Sequence, residues 1–338
     1  MINRLLLLLL FLIITPACKD KIPVFANFAG FTQGTTYSVV YDNRKNITPE
    51  LLKVDVEKIL HNFDLSLSIY LDSSIISKIN RNEDAIPDSF FVEVFNRSLL
   101  ISEMTRGAFD ITVGPLVRAW GFGPDAHKSF AIEKRDSLMK LVGMDKVSII
   151  NGHLIKSDTG ISLDVNAIAQ GYSVDVICRY FDNLGILNYL VEIGGEVRAK
   201  GTKAGAHWRI GIDRPEENNM SPGESLQAII KISDKALATS GNYRKFYVED
   251  GIKYSHTIDP RTGYPAKNRL LSATIIADDC TMADGIATAC MVMGTDSAIM
   301  FINRNPQLSG YLVFSDDNEN FKTWISDNLK SSVSESEN

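Results

Sequence analysis

Apolar and polar positions along the chain follow two periods, one near 3.6 residues and one of two, and their order sketches the fold. Leu52, Val56, Ile59, Leu60 and Phe63 recur at helical spacing. Ahead of them, Thr48-Pro49-Glu50 supplies a capping hydroxyl, a proline at the first helical position and an acid in the first turn. Phe90 to Thr105 repeats the helical pattern and ends at Gly107; Glu133 to Val142 does so and stops at Gly143. The clearest helix is predicted over Asn166 to Leu184, where Ile168, Ala169, Tyr172, Val176, Ile177, Tyr180 and Phe181 share one face and Gly185 closes it. Further helices are predicted at Thr281 to Met293 and Ser297 to Phe301. Strands are predicted at Gly30 to Tyr41, Tyr189–Ile193, Trp208–Asp213, Gln227–Ile232, Ser272–Ala277 and Gly310–Phe314. Strands lie between and beside helices without the strict alternation of a doubly wound sheet, so the expected class is α+β.

The ends read differently. Arg4 precedes an unbroken apolar run from Leu5 to Ile14, then Thr15-Pro16-Ala17-Cys18. That run is too short for a span of roughly 20 residues and suits the apolar region of a signal peptide. Small residues directly before a cysteine resemble a bacterial lipobox, with Cys18 lipidated as the mature first residue; a plain secretory signal is the alternative. Residues 1–17 are therefore expected to be a signal peptide, 18–30 a linker, 31–327 one domain and 328–338 a disordered Ser/Glu-rich tail. Composition changes this picture little. With 338 residues, 22% charged, 45% hydrophobic and a net charge of −6, the chain is an ordinary folded protein, and a nucleic-acid partner is not expected. Cys178, Cys280 and Cys290 remain after the leader; the odd number and wide spacing indicate neither a disulfide framework nor a zinc site, while a Cys280–Cys290 bridge stays possible.

Several segments carry candidate chemistry. Tyr254 to Pro265 packs a histidine, an acid, an arginine, two prolines and a glycine into twelve residues, a rigid path able to hold His256 and Asp259 at a set geometry. Asp284 and Thr288 stand four residues apart on a predicted helix, one turn from each other. Two hard oxygen donors so placed suit Mg²⁺; a buried Asp accepting the Thr hydroxyl is the other reading. Asp164 or Asn166 is placed to cap the helix behind it or to meet ligand hydroxyls or a metal at its N-terminus. Gly107 to Pro115, followed by Trp120-Gly-Phe-Gly123, sets aromatics between glycine turns, as a wall for a flat ring or as ordinary core. Gly194-Gly195-Glu196 and Thr239 to Arg244 add glycine turns with polar donors, with Arg244 or Lys245 as a candidate phosphate partner. No dinucleotide or Walker loop and no nucleophile elbow is present. His61, His127, His153 and His207 receive no role.

Seven of these motifs occur in one order: Asp110-Ile-Thr-Val-Gly-Pro-Leu116 with Trp120-Gly-Phe-Gly123, Asp164 to Tyr172, Val191-Glu-Ile-Gly-Gly-Glu196, Ala238 to Arg244, Ser255 to Pro265 and Ala283-Asp-Gly-Ile-Ala-Thr-Ala289, behind Cys18. In that order they resemble the ApbE family, the FAD:protein FMN transferases, over about Thr32 to Phe314. The resemblance implies mixed, largely antiparallel sheets packed with helices, and Mg²⁺-dependent transfer of FMN from FAD to a Thr or Ser hydroxyl of a target protein, with AMP released. It further implies His256 as base, Asp284, Thr288 and the backbone carbonyl of Ala167 as metal ligands, and Gln33, Tyr70, Ala108, Phe109, Asp110, Asp164, Gln170 and Ile258 around FAD. Implied partners are extracytoplasmic subunits of respiratory flavoproteins, of the Na⁺-translocating NADH:quinone reductase or Rnf type, reached from a lipid-anchored position on the periplasmic side of a bacterial membrane. Alternatives are an FAD pyrophosphatase and a flavin-binding lipoprotein. Two departures stand out: Gln33 where the family usually has Met, and Gln170 where it usually has Lys or Glu.

Overall fold

The computed structural model describes residues 25–122, 134–216, 223–242, 246–249 and 252–335. The leader with Cys18, the stretch 123–133, and Arg244 and Lys245 lie outside the described residues, as do the last three residues of the tail.

The chain opens with a hairpin, β1 (Phe25–Thr32) and β2 (Thr35–Asp42), in full antiparallel register. One long strand was expected here and a linker before it; instead Gln33 and Gly34 both take positive φ, the two-residue turn that matches strand twist. Helices α1 (Pro49–Leu67), α2 (Ile75–Asn80) and α3 (Ser89–Met104) follow, α1 with its proline at the start and α3 capped by Asp88, whose carboxylate accepts the Phe91 N–H. After α4 (Gly114–Ala119), the helix expected to reach Val142 is reduced to α5 (Arg135–Met139). A small hairpin, β3 (Val147–Ile150) and β4 (His153–Lys156), leads to α6 (Ala169–Asn183). Gly185 closes α6 at φ +67°, its N–H bonded to Asp182 O and the Ile186 N–H to Phe181 O.

Next come β5 (Tyr189–Ile193), β6 (Glu196–Lys200), β7 (Trp208–Asp213), β8 (Leu226–Ile232), β9 (Lys235–Gly241) and the hairpin β10 (Phe246–Glu249) with β11 (Ile252–Ser255). Then follow β12 (Leu270–Ala277), α7 (Cys280–Met293), α8 (Thr295–Arg304), β13 (Ser309–Ser315), β14 (Phe321–Ile325) and β15 (Val333–Glu335).

Among the described residues, one eight-stranded sheet runs β1-β2-β5-β6-β9-β12-β13-β14, and every neighbouring pair in it is antiparallel. Period-two alternation sends its side chains to two cores. Ala238, Ala273, Ile275 and Leu312 face the helices, packing with α7 residues Ala283, Ile286 and Ala287. Leu237, Ile276, Tyr311 and Val313 face the other way, against Trp208, Ile230 and Ile232 of a second sheet ordered β15-β8-β7. The tail is thus not disordered through Glu335. Val333–Glu335 pairs with the β8 edge, and the Tyr311 hydroxyl donates to Glu335 Oε1 at 2.9 Å. The cysteines form no bridge: Cys178, Cys280 and Cys290 are free and buried, the last two at opposite ends of α7. None of the described helices is long and apolar enough to cross a membrane.

Candidate active site

α7 carries two of the residues expected in the site, Asp284 and Thr288. It is apolar nearly all round and buried along most of its length, between the sheet and α6. Such a helix has no solvent face on which to place a charge, yet it carries Asp284, 5% exposed. No salt bridge to Asp284 exists among the described residues. Its hydrogen bond comes from the Gly171 N–H to Oδ2, at 3.0 Å. Burial pushes the carboxyl up to about 7, against the pull of that amide.

Gly171 stands in the first turn of α6, whose amides have no acceptor within the helix, so its N–H is available to Asp284. Ala167 lies just before the helix, and no described hydrogen bond ends on its oxygen, while the Ala169 and Tyr172 amides bond Val165 and Ile168. The helix start thus offers an amide that orients a carboxylate and, beside it, a free carbonyl. Gly171 also lets the helices approach: a Cβ there would sit 2.4 Å from Cys280 O and 2.7 Å from Asp284 Cβ. Thr288, one turn further along α7, does not spend its hydroxyl on Asp284; it lies 3.1 Å from Ser240 Oγ on β9.

A carboxylate, a hydroxyl and a free carbonyl are hard oxygen donors of the kind Mg²⁺ takes while keeping waters and substrate phosphates. The donor set fits, and the uncompensated buried charge is what a cation would relieve. No group of three or more His, Cys, Asp or Glu is gathered among the described residues, so a metal here rests on one carboxylate.

Seven of the eight residues expected around a flavin fall into three groups, and the eighth, Ile258, lies in the turn after His256. Gln33 and Gln170 are linked through Ser173, whose hydroxyl lies 2.7 Å from the Gln170 backbone carbonyl and 3.4 Å from Gln33 Oε1. Gln170 Nε2 also packs on Gly194, where a Cβ would stand 2.8 Å away. Gln33 Nε2 is buried with no hydrogen-bond partner among the described residues. The two departures from the family pattern are thus neighbours.

Asp164 and Tyr70 form the second group. Neither Asp164 nor Asn166 caps α6 itself; Asp164 Oδ1 accepts the Asn166 N–H at 2.9 Å, and Asn166 Nδ2 reaches the exposed Tyr70 hydroxyl at 3.3 Å. Burial raises the Asp164 carboxyl, while the Asn166 amide and the Arg118 charge pull it down.

Ala108, Phe109 and Asp110 form the third and are interior. The Phe109 ring is in the main core beside Gly285 rather than on a surface. Asp110 Oδ1 accepts from the Thr112 amide and hydroxyl (2.7 and 2.5 Å), and Oδ2 from the Met144 amide at 3.1 Å. Its side chain braces the loop, and burial is the main cause of its raised pKa.

His256 leads into the rigid turn. Ile258 pairs with Pro265, the Ala266 N–H bonds Thr257 O at 2.8 Å, and Gly263 at φ +76° donates to Asp259 O at 2.8 Å. Asp259 is spent on Arg261, whose amide, Nε and Nη2 all lie 2.9 Å from its oxygens, so it does not orient the histidine. Trp120 is mainly buried and pins the turn, its indole N–H donating to Gly263 O at 2.8 Å; Ile258 packs with it and Leu116. The His256 ring stands edge-on to Phe122, centroids 6.4 Å apart. Sequence reasoning missed Gly171 and Ser240 as site residues. The glycine inside an otherwise strong helical pattern was the available signal for the first.

Comparison with known proteins agrees with this architecture. Residues 33–312 match the model of the ApbE family. Over 311 residues the chain is 35% identical to an FAD:protein FMN transferase of Vibrio cholerae, covering 90% of this chain and 91% of that one. A protein of the same name from Haemophilus influenzae is 34% identical, covering 89% and 90%. Among solved structures, the flavin transferase ApbE from Vibrio cholerae superposes with a TM-score of 0.81 at 34% identity, covering 91% of this chain and 99% of that one. The apo flavinyl transferase ApbE of Pseudomonas stutzeri gives 0.82 at 32% identity, covering 92% and 97%. This chain belongs to the ApbE family.

Proposed function

We propose that this protein is an FAD:protein FMN transferase, moving the FMN moiety of FAD to a Thr or Ser hydroxyl of a target flavoprotein. The acceptor oxygen attacks the FMN-side phosphorus, a new P–O bond forms, the bond to the bridging oxygen breaks, and AMP leaves. The observation that supports this most is the buried Asp284 carboxylate, turned by Gly171 toward a helix start whose Ala167 carbonyl is free. Asp284, Thr288 and the Ala167 carbonyl would hold Mg²⁺. Bound there, the ion supplies charge neutralisation on phosphoryl oxygens.

The other roles belong to the chain itself. His256 takes the hydroxyl proton, a task suited to an imidazole near neutral pH, and the braced turn from Thr257 to Ala266 fixes its place. Gln33 Nε2, buried and unpaired among the described residues, donates to the flavin nucleotide beside the Ser173 link to Gln170. Asp164 and Tyr70 line the helix start. Cys18 anchors the protein on the periplasmic side of a membrane, close to flavoprotein subunits of Na⁺-translocating NADH:quinone reductase or Rnf-type complexes, which raises their effective concentration.

The test uses residues 19–338 with FAD, Mg²⁺ and a purified acceptor domain, read by intact-mass spectrometry. A gain of one FMN on the acceptor, lost in His256→Ala and Asp284→Ala, is expected. Release of FMN and AMP with no gain on any acceptor would instead make the protein a hydrolase.

A further inference from the structure

Asp175 is buried on α6 one turn beyond Gly171, facing α7 and β6. Four donors converge on its carboxylate. Oδ1 accepts from Arg198 Nη1 of β6 at 2.6 Å and from the Cys280 amide at 3.0 Å; Oδ2 accepts from the Thr281 amide at 2.8 Å and the Thr281 hydroxyl at 2.6 Å. The first turn of α7 therefore has two acidic acceptors. Asp279, at its own N-cap, takes the Met282 amide and pairs with Arg97. Asp175, reaching over from α6, takes the two amides before it. A cap from its own chain segment stabilises a helix but does not say where the helix sits. A cap donated by a neighbouring helix does both.

We infer that Asp175 is a positioning residue for the metal site, locking the register of α7 against α6 so that Asp284 and Thr288 face the free Ala167 carbonyl. α6 touches α7 through two polar contacts one turn apart: the Gly171 amide to Asp284, and the Asp175 carboxylate to Cys280 and Thr281. Two such points fix both sliding and rotation, whereas one would leave a hinge. Ala167 belongs to the α6 side and the two side-chain ligands to the α7 side, so the distance between them depends on this lock. Arg198 ties the same carboxylate to the sheet, holding both helices to the β6 strand. Groups that hold metal ligands without touching the metal typically change affinity by roughly 10–100-fold when removed.

This inference rests on the proposed metal site, so its test reads metal binding directly. Mn²⁺ is titrated into residues 19–338, and the free Mn²⁺ signal is followed by electron paramagnetic resonance, beside FMN-transfer assays and thermal melts. Wild type binds one Mn²⁺, and Asp284→Ala abolishes that binding. In Asp175→Asn an amide N–H replaces one acceptor and opposes the donors around it, and Mn²⁺ affinity falls by roughly 10-fold or more. Thr281→Val, a milder change that keeps both backbone amides, weakens binding by a smaller factor and serves if Asp175→Asn does not fold. A purely structural role would lower the melting temperature in both variants and leave Mn²⁺ affinity unchanged; that result overturns the inference, as does a wild type that binds no Mn²⁺. Mn²⁺ binding without FMN transfer would overturn the proposed function and leave the role of Asp175 standing.

Discussion

Asp284 is a carboxylate buried in an apolar helix, which weakens the apo fold, and in the proposed site the same burial would favour a cation beside it. Its folded value near 7 lies above the ordinary carboxylate range, so the folded state holds the proton more tightly than the unfolded chain. Stability of the metal-free protein should therefore fall as pH rises from about 4 to about 7, by at most a few kcal/mol. In Asp284→Asn the share of that slope due to Asp284 should vanish, leaving the smaller slope of the other buried carboxyls; urea titrations across this pH range in EDTA check it. Gly171→Ala tests the neighbouring contact. Its methyl would meet Cys280 O and Asp284 Cβ, so the helices must part, at about 1–3 kcal/mol, with loss of transfer activity. Urea unfolding beside FMN-transfer rates reads both effects. Asp284 and Thr288 were legible as a pair from their four-residue spacing. What spacing could not show is that each hydroxyl or carboxylate oxygen bonds a third residue instead of the other.

At the scale of elements, the proposed site draws on two helices and one turn, each held by a few polar contacts. Trp120 holds the turn through the Gly263 carbonyl. Trp120→Phe keeps most of the packing but removes that N–H, so stability should drop by about 1 kcal/mol and turnover should fall more than FAD affinity, because His256 is misplaced. Steady-state kinetics with varied FAD separate the two. Hydrophobic periodicity located α1, α3, α6 and α7 to within a few residues, since each buries a stripe of side chains in the core. It merged β1 and β2, because Gln33 is not a residue whose identity announces positive φ. It also passed over β6 and β9, where short runs of mixed residues become strands only through their partners on both sides.

For the whole molecule, two faces of one sheet divide the labour. The helical face carries the candidate site, and the opposite face is sealed by β7, β8 and β15. Deleting residues 330–338 should lower the melting temperature, since β8 loses a neighbour and the Tyr311 hydroxyl loses Glu335, while kcat/KM for FAD stays unchanged. The Ser/Glu-rich composition of the tail concealed this strand, because edge pairing is made by backbone groups and asks little of side chains. Two of the ordered motifs, Asp164 to Tyr172 and Ala283 to Ala289, lie at the start of α6 and on α7, which touch through Gly171 and Asp284. The α6–α7 junction is proposed as the metal-dependent active centre. That proposal is tested most directly by crystals of residues 19–338 grown with Mn²⁺ and ADP, using anomalous scattering to locate the metal. A single strong peak bonded by Asp284, Thr288 and the Ala167 carbonyl is the predicted result; a peak elsewhere, or none at that junction, would contradict the account.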